Sequence, residues 1–312
     1  MPQASSNGMV LEYETFGDRA GPPVLLIMGL GAQMTVWPDG FCQQLADQGH
    51  YVIRFDNRDI GLSTHLDHLG LPDGVAAFMA VIAGEVVDAP YSLGDMADDA
   101  AGLLDALDIA EAHIVGASMG GMIAQRFATG HPERTSSLTS IFSMPRFILG
   151  EEEVVAVLMA PDPGTREGRI EAGVAAARLT SGGGFGFDEE LTRKRMIEGI
   201  DRSWHPDGQS RQTLAILADG DRTEGLAGIT APTLVIHGTA DPLVVPQGGQ
   251  ETADAIPGAE LVWIEGMGHE MPEAAWPQIL DPICALIERA EVAAGEARGQ
   301  GPAVMSTTTS AE

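Results

Sequence analysis

Apolar residues follow two different patterns along this chain, and the patterns alternate. Runs that are apolar at almost every position occur at Val24–Met28, Tyr51–Phe55, His113–Val115, Leu138–Phe142, Leu234–Ile236 and Leu261–Ile264. A strand that is apolar on both faces is one covered on both faces, as in the middle of a parallel sheet. Val10–Phe16 instead alternates, which predicts a half-exposed edge strand. Helical patterns lie between these runs. Pro38–Gln48 opens with proline in its first turn and stops at Gly49, and Gly120–Thr129 stops at Gly130-His131-Pro132. Leu93–Leu107 carries Leu93, Met96, Leu103, Leu104 and Leu107 at helical spacing, with acids on the other side, and Ile279–Ala294 is the last helix. Strands and helices in alternation predict an α/β fold with a mostly parallel central sheet flanked by helices.

The rhythm breaks from Pro145 to Asp221. That stretch has no strand pattern and reads as helices over Glu151–Met159, Thr165–Leu179, Glu189–Ser203 and Gln209–Ala218. The run Ser181-Gly182-Gly183-Gly184-Phe185-Gly186-Phe187 reads as a flexible joint between two of them. A helical block set between two strands predicts an inserted cap. The expected organisation is a core formed by 1–144 and 222–294, a helical cap at 145–221, and a disordered tail at 295–312, where the residues are small and polar.

Chemistry enters with Gly116-Ala117-Ser118-Met119-Gly120, a G-x-S-x-G motif between an apolar strand and a helical pattern. In that context the motif forms a sharp turn that exposes the serine hydroxyl above the sheet. Ser118 is therefore the candidate nucleophile. A serine needs a base, and where this motif works the chain order is serine, acid, histidine. Past the cap, His237 follows a strand directly and is expected to pack at its end. His269, in Gly266-Met267-Gly268-His269, lies in a glycine-flanked loop after the last strand and is the candidate base. Asp241 stands in the loop after the preceding strand, where it would fix the histidine tautomer and stabilise the imidazolium. The backbone N–H groups of Leu30, in Met28-Gly29-Leu30-Gly31, and of Met119 are the candidate oxyanion donors. Gly29, Trp37, Met144, Phe147, Val244 and Met267 adjoin these loops and are expected to line a hydrophobic substrate pocket.

Gly29-Leu30-Gly31, Asp56-Asn57-Arg58-Asp59-Ile60-Gly61-Leu62-Ser63, Gly116 to Gly121, His237-Gly238 with Asp241-Pro242, and Gly266 to His269 together resemble α/β-hydrolase esterases of actinobacterial type. Within that superfamily the pattern is similar to the aclacinomycin methylesterase group. The resemblance spans roughly residues 8 to 288. It implies the α/β-hydrolase fold and carboxylic ester hydrolysis through an acyl-enzyme, with no cofactor and no metal. A methyl ester of a polyketide-like compound is one substrate it suggests. Met28 departs from the histidine that many members carry before the oxyanion glycine, which removes a supporting hydrogen bond. Thioester, lactone, carbon–carbon bond and perhydrolase reactions use the same triad and stay open, as does a catalytically silent ligand-binding role. Aspartate-nucleophile relatives such as epoxide hydrolases are disfavoured by Ser118.

Charge narrows the partners. The 312 residues carry 45 acidic and 17 basic side chains, a formal net of −28. Such a surface disfavours nucleic acid, anionic lipid and anionic substrates. Cys42 and Cys284 are too few for a disulfide framework and read as small buried hydrophobes. The first residues lack a basic region followed by an apolar run, and no apolar stretch reaches the length of a membrane span. A cytoplasmic protein acting on a small hydrophobic ester is the expectation, with oligomeric state left open. Asp56-Asn57-Arg58-Asp59 is read as a structural turn with Arg58 pairing locally. His65 and His68, though spaced like two metal ligands, are read as part of a solvated loop.

Overall fold

A computed structural model describes residues 2 to 299 apart from 159 and 161. Eight strands form one sheet in the order β1-β2-β4-β3-β5-β6-β7-β8. They are β1 (Gln3–Ser6), β2 (Met9–Phe16), β3 (Pro23–Ile27), β4 (Tyr51–Phe55), β5 (Ala112–Ala117), β6 (Thr135–Ile141), β7 (Thr233–Gly238) and β8 (Glu260–Ile264). β1 pairs antiparallel with β2, and β2 with β4; every later pairing is parallel. Five of the continuous apolar runs are central strands, and β4 and β5 are buried along their whole length. The sixth, Leu261–Ile264, is β8, which closes the sheet as an edge strand and is only partly buried. β2 is not an edge. β1, a short strand of small and polar residues, covers its outer side, and its composition hides it from a hydrophobic reading.

Two apolar layers sandwich the sheet. One gathers Leu25, Ile27, Ile53 and Ile114 with α3 (Leu93–Ala106) and α4 (Met119–Gly130). The other gathers Val24, Leu26, Val52 and Val115 with α1 (Asp39–Asp47) and α11 (Trp276–Gly299). The alternate residues of β3 and β4 thus serve opposite layers, as strand geometry dictates. α11 runs past 294 to Gly299, so the first residues of the expected tail are helical, and 300–312 lie outside the described residues.

Between β6 and β7 the chain leaves the sheet and builds α5 (Glu152–Leu158), α6 (Arg166–Thr180), α7 (Glu189–Arg202), α8 (Pro206–Asp219) and the short α9 (Thr223–Leu226). Met159, expected at the end of the first of these, lies outside the described residues. Thr165 and Asp188 accept hydrogen bonds at the starts of α6 and α7, and Pro206 opens α8. Two helices elsewhere carry no readable helical stripe. α2 (Gly74–Ile82) is apolar all round, and α10 (Pro246–Ala255) contains two consecutive glycines.

Candidate active site

Six parallel strands end on one side of the sheet, and the loops that follow them converge there. At the tip of β5, Ser118 adopts φ 58° and ψ −123°, a backbone conformation that side chains rarely take. Local contacts hold it: Ser118 N donates to Ile141 O at 3.0 Å, and its carbonyl accepts from Gly121 N at 2.9 Å and Ser143 Oγ at 2.8 Å. The motif's glycines are required by close approach. A Cβ on Gly116 would lie 2.0 Å from Gly120 O, and one on Gly120 would lie 2.0 Å from Ile27 O.

His269 Nε2 lies 2.9 Å from Ser118 Oγ, and His269 Nδ1 lies 2.8 Å from Asp241 Oδ2. Asp241 is 2% exposed, and its other oxygen accepts from Leu243 N and Val244 N, both at 2.9 Å. Those two N–H groups fix the carboxylate, so its free oxygen faces the imidazole. Phe142 packs a tilted ring on His269 with centroids 4.7 Å apart. His237 is buried as expected at its strand end, 2.7 Å from Val244 O, and does not reach the serine. An acid, an imidazole and a hydroxyl in one hydrogen-bonded line can move a proton from oxygen to nitrogen and stabilise the resulting charge.

The Met28–Gly31 loop stands beside this line, and an ideal Cβ on Gly29 would come 3.0 Å from Ser118 Cβ. Met28 O accepts from Asn57 Nδ2 at 2.9 Å, and Gly31 N donates to Gln212 Oε1 at 2.9 Å. The loop is therefore held from both sides although Met28 supplies no imidazole. The N–H groups of Leu30 and Met119 make no hydrogen bond among the described residues. Asn57 and Gln212 were not among the sequence candidates. Asn57 stood in a motif read as a turn, and Gln212 gains its role only through the fold.

The expected pocket residues separate into two groups. Phe147 is partly buried, Met144 and Val244 retain 6% and 4% exposure, and all three belong, with the partly buried Leu30 of the oxyanion loop, to the layer that includes Met119. Trp37 and Met267 expose no surface and belong to the opposite layer, where Trp37 packs on Phe41 and Phe41 on Trp276. A side chain with no accessible surface offers no wall to a ligand, so these two are core residues in this structure. Gly29 is buried against Ser118.

The Asp56–Asp59 loop is structural, but Arg58 does not pair locally. It reaches Asp99 of α3 through Nε at 2.6 Å and Nη2 at 2.7 Å. Asp59 receives Arg211 of α8 at 2.7 and 2.8 Å, and Asp56 receives Arg202 of α7 at 2.8 Å. His65 meets His205 and Asp67, not His68, with ligand atoms within 4.8 Å of one another. The two imidazoles stack at 3.8 Å and 7°, so their in-plane lone pairs run parallel and do not converge on one ion. Arg211 Nη2, 3.1 Å from His205 Nε2 and 3.3 Å from Asp67, already brings positive charge there. This cluster is unsuited to a metal.

The glycine-rich joint is not free. Gly184 N donates to Gly266 O at 3.0 Å and His269 N to Thr180 O at 2.7 Å. A Cβ on Gly268 would lie 2.1 Å from Thr180 O, and one on Gly182 would lie 2.5 Å from Gly268 N. The glycines let two backbones touch.

The chain matches the model of the Alpha/beta hydrolase family over residues 24–281. It is 32% identical over 306 residues to the rhodomycin D methylesterase DauP of Streptomyces sp. (strain C5), covering 91% of this chain and 97% of that protein. Identity to the rhodomycin D methylesterase DnrP of Streptomyces peucetius is 29% over 310 residues, 92% of this chain and 98% of that one. Among solved structures, a meta-cleavage product hydrolase from Pseudomonas fluorescens IP01 is similar with a TM-score of 0.71 at 20% identity, over 93% of this chain and 98% of that one. A likeness at that identity speaks to the fold, an eight-stranded sheet with an inserted helical region, and agrees with the full-length methylesterase matches. On the family match and the identity to DauP together, this chain belongs to the alpha/beta hydrolase family.

Proposed function

We propose that this chain hydrolyses carboxylic esters through an acyl-enzyme, with Ser118 as nucleophile, His269 as general base and acid, and Asp241 as the carboxylate that orients His269. The observation that carries this reading is the unbroken hydrogen-bond line from Asp241 Oδ2 through His269 to Ser118 Oγ. In the first half-reaction His269 Nε2 takes the hydroxyl proton while Oγ bonds to the ester carbon. The N–H groups of Leu30 and Met119 receive the oxyanion. The tetrahedral adduct collapses, the bond to the alcohol oxygen breaks, and the alcohol leaves with the proton from His269. Water then attacks the acyl carbon by the same route and frees Ser118.

Residues 145–221 act as the cap over this site. Leu30, Met144, Phe147 and Val244 form its apolar wall, and Phe147 extends it by meeting Phe78 of α2 edge-on at 6.1 Å. Such a wall suits a hydrophobic acyl group. The two methylesterase relatives, matched over nearly their whole lengths, favour a methyl ester of a polyketide-like acid. A fluorophosphonate probe tests the chemistry: it should label the Ser118 peptide and leave Ser118→Ala unlabelled. An unlabelled wild-type protein would overturn the reading. A panel of methyl esters, thioesters and lactones of matched acyl groups tests the substrate class, and faster turnover of either of the latter would reassign the reaction.

A further inference from the structure

The oxyanion donor assigned to Leu30 sits on one peptide plane, the one joining Gly29 to Leu30. The peptide bonds are trans among the described residues, so the Gly29 carbonyl and the Leu30 N–H point in opposite directions. Gly29 O accepts from Ala32 N at 3.3 Å, which aims the Leu30 N–H away from the loop's own backbone. The planes on either side are anchored. Met28 O accepts from Asn57 Nδ2, and Gly31 N donates to Gln212 Oε1, each at 2.9 Å.

Gln212 comes from α8, 181 residues along the chain from Gly31, and no part of it is exposed. Its other amide atom is also engaged: Nε2 donates to Arg58 O at 2.9 Å. A backbone N–H can only donate and a backbone carbonyl can only accept, so these two partners fix which way the amide faces. Asn57 and Arg58 are neighbours in the loop after β4. That loop therefore braces the oxyanion loop twice, at Met28 directly and at Gly31 through Gln212. Gly31 needs the brace. Its φ is 65°, a region glycine enters and leaves freely, and the Met28 side chain has no N–H or O–H with which to hold the turn. Gln209, one turn earlier on α8, fills the space beside Gly31, where a Cβ would lie 2.7 Å from Gln209 Cδ.

We infer that Gln212 is a positioning residue for the transition state: by fixing the Leu30–Gly31 peptide it holds the Leu30 N–H where the ester oxygen gains charge. This rests on the ester-hydrolase reading. Gln212 has no accessible surface to offer a substrate, so it acts through Gly31. An oxyanion donor is worth most when it need not move as charge develops, and a displacement of about an ångström costs roughly 100-fold in rate. A buried amide held at both ends removes that freedom. It does so without contributing to ground-state binding, so its effect belongs in kcat and not in KM.

Gln212→Met, close to glutamine in length and without an amide, tests it. Titration with a fluorophosphonate counts competent active sites, and rates on a methyl ester are taken per titrated site. On that basis kcat should fall by about 10- to 100-fold while KM stays within about twofold. A trifluoromethyl ketone with the same acyl group mimics the tetrahedral adduct: Ser118 Oγ bonds to its carbonyl carbon, the proton passes to His269, and the ketone oxygen becomes an oxyanion. Its affinity should weaken by the factor lost in kcat/KM. A merely structural residue would lower the titrated fraction or the melting temperature and leave both per-site values alone. An unchanged per-site kcat, a loss carried by KM, or a loss that the ketone does not match overturns the inference. If Gln212→Met does not fold, Gln212→Asn takes its place with the same outcomes, because its amide is one carbon too short to span Gly31 N and Arg58 O. Wild-type protein that titrates and turns over while the variant equals it sinks only the role of Gln212. Wild-type protein that neither titrates nor hydrolyses the ester sinks the hydrolase chemistry and this inference with it.

Discussion

Ser118 sits in a backbone conformation that costs about 1–3 kcal/mol, and its neighbours hold it there. On the proposed mechanism, Ser118→Ala or His269→Ala should lower kcat by roughly 10⁶. Asp241→Asn should lower it by about 10⁴, since the geometry survives while the tautomer changes. Steady-state kinetics on a methyl ester, with melting temperatures showing intact folds, check both. A different residue contributes to acid sensitivity. His113 is 1% exposed, bonded through Nδ1 to Ser137 Oγ, and burial pushes its ring down to about 4. The unfolded chain binds that proton near 6.5, so between 6.5 and 4 it holds more protons than the folded chain, and stability falls as pH falls through that window. The loss should approach 3 kcal/mol, on the order set by the shift, and urea unfolding of His113→Gln should show a shallower decline. At this scale Ser118, Asp241 and His269 were legible because a motif and two post-strand loops mark them. Gln212 was not, because a hydrogen bond between the inserted helices and the Met28–Gly31 loop exists only once distant segments meet.

Elements were legible where burial imposes a period. The central strands and α3 declare themselves, since a strand covered on both faces admits few polar side chains. β1 does not, because its stability comes from backbone pairing with β2 and not from apolar side chains. The glycine run at 181–187 was legible as glycine and misread as freedom. Its backbone lies against the His269 loop, and a methyl on Gly268 would enter the Thr180 carbonyl. Gly268→Ala should therefore shift His269 and lower kcat by about 100-fold, the cost of roughly an ångström of misplacement. Circular dichroism should remain native. An unchanged kcat would show that the loop absorbs the methyl without moving the base.

Across the whole molecule, buried ion pairs join the inserted helices to the sheet. Arg211 and Asp59 are 1% and 0% exposed, and removing one partner strands the other. Arg211→Ala should destabilise the protein by about 3–5 kcal/mol, read from urea unfolding. Among the described residues, no helix is long and apolar enough to cross a membrane. The inserted region also touches three loops of the candidate site. Gln212 meets Gly31, Glu151 N meets Pro242 O, and Thr180 O meets His269 N. If the inserted helices cap the site as proposed, the last contact makes that cap an interlock. If the helices lift to admit a substrate, they pull on the very segment that carries the imidazole, and Ser118 reverts to an ordinary alcohol. Reactivity would then be armed by closure, and a gaping cleft would spend none of it on water.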